Sequence, residues 1–140
     1  MESSTVRNRL NLAIDAARRS SAERRARNDE ASRSYERFLE FAVPLFKQVA
    51  QALKASGYPF TVFTPGGSVK LMSDKSAEDY IELSLDSSGE NPVVIGRVSR
   101  TRGSRVMDSE LPIAQKQVAE LTEEDVLEFV LKVIAPFVER

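Results

Sequence analysis

Residues 45–63 read LFKQVAQALKASGYPFTVF, and a change of rhythm inside them decides the fold class. Up to Lys54 the apolar residues step by three and four (Phe46, Val49, Leu53), as one face of an amphipathic helix requires. Beyond Gly57, Tyr58, Phe60 and Val62 alternate with Pro59, Thr61 and Phe63, the period of a strand. Glycine after a last helical lysine is a good helix stop, because it tolerates positive φ while the cation faces the carbonyl end. Helix therefore precedes strand, with the boundary at Gly57.

Upstream the helical stripe extends through Tyr35, Leu39 and Ala42, and Pro44 does not disturb its phase. Pro44 is expected as a kink or a fresh first turn and not as an end. Neither glycine nor proline occurs from Met1 to Val43. An earlier apolar block, Val6, Leu10, Ala13 and Ala17 with Ile14 beside it, falls on the same side of a straight helix as Ala42 and Leu53. Between the blocks the face turns polar at Ser20, Arg24 and Asn28. One continuous helix and a helical hairpin bending within residues 20–34 both fit. The hairpin is preferred, because Ser20 and Glu23 have capping-box spacing and helices of about 50 residues are rare.

Downstream, Thr64–Ser68 reads as a turn centred on Pro65-Gly66, and Val69–Met72 as a strand. Tyr80–Asp86 alternates cleanly, with Ile81, Leu83 and Leu85 on one face. Val93–Ser99 and Arg105–Asp108 flank a turn at Thr101–Ser104, and a weak last strand is expected between Ile113 and Ala119. Thr122 followed by Glu123, Glu124 and Asp125 opens a C-terminal helix ending near Pro136, apolar around most of its circumference and so buried on more than one side. The expectation is an α+β fold: a long N-terminal helix or helical hairpin, then an antiparallel meander of four or five strands, covered on one face by helices including the C-terminal one. Residues 1–34 form a helical arm for oligomerisation and residues 35–140 the α+β domain.

Composition narrows the function classes. The chain has no cysteine and no histidine, which removes thiolate chemistry, histidine-activated nucleophiles and the commonest zinc ligands. No catalytic residue, cofactor or metal site is expected. Thr64–Lys70 lacks the glycine spacing of a phosphate loop, and Asp74, Glu78, Asp79 and Glu82 match no calcium loop. With a net charge of −1 and no apolar leader or spanning segment, the chain is expected in the cytoplasm, off membranes and away from nucleic acid.

Two features remain as candidate sites. Arg97, Arg100, Arg102 and Arg105 gather four guanidinium groups around one turn, suited to forked hydrogen bonds with a phosphate or carboxylate, with Asp108 and Glu110 near enough to pair with them. Val6, Leu10 and Ile14 form a narrow apolar stripe that needs a packing surface, since an isolated helix gains little from propensity. A non-enzymatic interaction or scaffold domain, homodimeric through its N-terminal helices or docking on another protein, is the leading expectation. A binding module for a small anion or nucleic acid, built on the arginine hairpin, is the alternative.

Overall fold

The computed structural model describes residues 1–139. Its first element, α1 (Ser3–Ala55), is a single unbroken helix of 53 residues, about 80 Å long at 1.5 Å per residue. The hairpin preferred on base rates does not form. Nothing between Ser20 and Ser34 stops a helix: no glycine or proline interrupts it, and its alanines, arginines and glutamates are good helix formers. Asp15, Glu23 and Asp29 each precede an arginine by four residues, the order that favours helix. Ser20 makes no cap, and Pro44 lies on the exposed side with the helix running through it. The stop is where the glycine places it. Gly57 takes φ 92°, its N–H bonds to the Lys54 carbonyl at 3.0 Å, and Tyr58 N–H bonds back to Leu53 at 2.8 Å. Together these form a Schellman motif.

Five strands follow: β1 (Phe60–Phe63), β2 (Val69–Ser73), β3 (Tyr80–Asp86), β4 (Val93–Arg102) and β5 (Arg105–Pro112). They pair antiparallel in chain order, a simple meander. The β1–β2 turn closes on Gly66-Gly67, not on Pro65-Gly66. Both glycines have positive φ (55° and 84°) and Ser68 N–H bonds to the Pro65 carbonyl at 3.0 Å. That is the type I′ pattern, whose twist suits a hairpin better than type II. At the β4–β5 turn Gly103 alone is left-handed, the type II′ pattern.

Period-2 alternation sorts the sheet into two faces. Val69, Leu71, Ile81, Leu83 and Val94 are buried on the inner face, under Phe38, Ala42 and Phe46 of α1 and Val126, Phe129 and Val130 of α2 (Glu123–Val133). Gly96 sits beneath Phe129, where a Cβ would run into the ring. The outer face has no helix over it. Across four strands its register reads Lys70, Glu82, Arg97, Glu110, a row of alternating charge.

Residues 113–119 form no strand. Ile113 N–H bonds once to Val94, and the chain then bends through a single 3-10 turn at Val118–Glu120, burying Val118 and Leu121. The apolar positions that suggested a strand are separate anchors of a connection lying against α1. Thr122 caps α2 as its sequence implies, in a capping box with Asp125. α2 closes at Val133, and Pro136 opens a last turn, α3 (Ala135–Val138). α2 is buried against both the sheet and α1 but leaves one face open, where Leu131 is 62% exposed.

Candidate interaction surfaces

The sheet divides the four arginines that the sequence groups together. Alternation along β4 puts Arg97 on the outer face, where it pairs across the ladder with Glu110 and diagonally reaches Asp108. Its guanidinium donates to both Asp108 oxygens at 3.2 and 3.1 Å and lies 3.9 Å from Glu110. This bidentate contact holds the Asp108 carboxyl below its usual range and the guanidinium more firmly protonated. Arg97 is thus engaged by local acids.

Arg100 and Arg102 fall on the opposite face, the side of Val98, and Arg105 stands directly across from Arg102. None of the three is ion-paired among the described residues. β4 runs three residues beyond its pairing with Tyr80, so the hairpin tip projects past the sheet, held at its base by Thr101 N–H donating to Asp79 Oδ1 at 2.6 Å. The acids of the Asp74–Glu82 segment are used in the same way. Asp74 accepts from Thr61 at 2.6 Å and Glu82 from Ser68 at 2.8 Å. No cluster able to hold a metal occurs among the described residues.

The arm leaves from the other end of the sheet. Burial along α1 begins with Ala31, Ser34 and Tyr35, and every residue before Asn28 is exposed except half-buried Ser21. Tyr35 fixes the helix at this point. Its hydroxyl donates to the Gly67 carbonyl at 2.7 Å, and burial pushes its pKa up to about 12. Beyond it about 25 residues project, some 40 Å of helix. On them Val6, Leu10 and Ile14 are 48%, 57% and 38% exposed, with Leu12 bare on another side. Because α1 is continuous, this stripe keeps the azimuth of Ala42 and Phe46, which face the core.

Depressions also mark the described surface away from these features. A cleft of about 230 Å³ lies at the root of the arm, between Arg27, Glu30 and Ser34 of α1, Asn91 and Pro92, and Gln117 to Ala119. A wider groove of about 490 Å³ runs between Leu45 and Gln48 of α1 and Thr122, Glu123, Glu124 and Leu127 of α2. The carboxyls displaced from their usual range (Asp86, Asp108 and Asp125) all lie outside the cleft, each lowered by hydrogen bonds. Sequence reading missed the groove, since helix pairing is tertiary. It had a signal for the bare face of α2, however: Glu124 and Glu128 share a helical face with Leu127 and Leu131. Comparison with protein-family models, curated proteins and solved structures finds no match to this chain.

Proposed function

We propose that this chain is a non-enzymatic interaction or scaffold domain that forms a homodimer through its N-terminal arm. The observation that carries the reading is the rigid projection of Val6, Leu10 and Ile14 into solvent on an unbroken helix. A long helix with a coherent apolar stripe and no tertiary support loses stability toward its free end, and a packing surface supplies what is missing. Two-fold association is the commonest way to supply it. The cysteine-free composition accords with a cytoplasmic setting. No helix among the described residues is long and apolar enough to cross a membrane.

Solution mass by light scattering or sedimentation tests this. The full chain should run as a dimer at micromolar concentration. Leu10→Glu removes about 1.5–3 kcal/mol per buried leucine, twice in a two-fold pair, and should weaken association by about 10²–10⁴-fold with the sheet domain still folded. A strictly monomeric wild-type chain sinks the reading.

A second reading is favoured by one observation: Arg100, Arg102 and Arg105 converge on one face of the hairpin tip with no carboxylate partner among the described residues. Three guanidinium groups so placed suit a phosphate-bearing ligand or a nucleic-acid backbone. Titration with oligonucleotides and phosphorylated metabolites checks it. The reading fails if Arg100→Ala with Arg102→Ala leaves every affinity unchanged.

A further inference from the structure

The open groove between α1 and α2 does not end at Leu127. Glu124, Leu127, Glu128 and Leu131 follow at the spacing of one helical face, so the groove continues as a strip of leucines framed by carboxylates. Residues 120–132 hold five carboxylates against Lys132 alone. The arm has the reverse character. Around Val6, Leu10 and Ile14 stand Arg7 and Arg9, about 100° to one side and about 60° to the other of Val6. Residues 3–28 carry seven arginines against Asp15 and Glu23, a local charge of +5. With −1 over the whole chain, the remainder carries −6.

We infer that the acidic groove and exposed face of α2 receive the arginine-rich arm of a second copy of this chain, in a reciprocal two-fold pair. This rests on the dimer reading above and names the surface that the arm covers. The chain cannot fill its own groove. Leu10 lies about 50 Å along the axis from Leu45 of the same unbroken helix, and no hinge separates them. Packing arm against arm would oppose two charges of +5, whereas arm against α2 brings opposite charges and two apolar ridges together. Length fits as well. A two-fold axis crossing α1 near Asn28 sets Leu10 as far on one side as Phe46, between Leu45 and Gln48, is on the other. The polar middle of the helix, Ser20 to Asn28, then falls at the axis, where no apolar contact is required.

A charge-exchange experiment on the full-length chain tests this. One variant carries Glu124→Lys and Glu128→Lys, the other Arg7→Glu and Arg9→Glu. All four positions are exposed, so circular dichroism should match the wild type. Each variant alone should dimerise at least about tenfold more weakly, because each sets like charges across both contacts. An equimolar mixture should recover an affinity within about threefold of wild type, since the heterodimer has one native contact and one exchanged contact. A Glu124→Lys/Glu128→Lys chain that dimerises as tightly as wild type overturns the inference and leaves the dimer reading standing. So does a mixture that fails to recover. A monomeric wild type overturns both.

Discussion

Thr122 and Asp125 exchange hydrogen bonds across the first turn of α2, and Lys116 reaches both Asp125 oxygens at 3.0 Å. The lysine first, and the Thr122 N–H after it, hold the Asp125 carboxyl below its ordinary 3.8. A carboxyl whose folded pKa is depressed stabilises the fold fully above its unfolded value, and that contribution fades as pH falls through the folded one. Thr122→Ala should cost about 0.5–2 kcal/mol at neutral pH by urea unfolding. Asp125→Asn should destabilise at pH 7 and converge on the wild type as pH drops below the ordinary carboxylate range. This pairing was legible at Thr122, because a cap is read from neighbours in sequence. Lys116 was not, because it arrives from an irregular connection that the apolar pattern of Ile113–Ala119 had presented as a strand.

Among the elements, β4 shows what alternation can and cannot deliver. It identifies a strand from Val93 onward but does not say that Arg97 and Arg100, three residues apart, must face opposite ways once both belong to one continuous strand. Extending β4 to Arg102 dissolves the four-arginine cluster into an ion-paired member and three unpaired ones. Gly96 on the same strand faces buried Phe129, only 3% exposed and without room to withdraw. Gly96→Ala should therefore cost about 1–3 kcal/mol through overpacking, measured by thermal or urea unfolding. Phe129→Leu should recover part of the loss. At the end of α1, Gly57→Ala should cost about 1 kcal/mol, since φ 92° suits only glycine. In α1 itself, base rates argued for a break and local chemistry did not. With no residue that stops a helix, the polar interval proved to be a change of surface within one element.

For the molecule as a whole, the decisive contrast is between a domain that is buried and an arm that is not. Residues 1–27 make no contribution to the core, so a chain beginning at Asn28 should have an unfolding free energy within about 0.5 kcal/mol of that of the full-length chain measured as a monomer, and should itself run as a monomer. The α+β class, the five-strand meander and the helical cover could be read from periodicity, which reports the face each residue presents to its own element. Which surfaces meet across elements could not, and both the α1–α2 groove and the opposite placement of arm and arginine hairpin are of that kind.

An unbroken helix also behaves as a shaft: whatever turns its root turns its tip. Ala insertions between Ser20 and Ser21 make this measurable, because each added residue rotates the stripe by about 100° relative to the sheet. Two extra residues should swing Leu10 to the far side and abolish pairing. Seven should return it to within about 20° of its native azimuth and restore pairing at a separation about 10 Å greater. Association would then rise and fall with insert length at the helical repeat, making angular phase, more than reach, the quantity that the arm conserves.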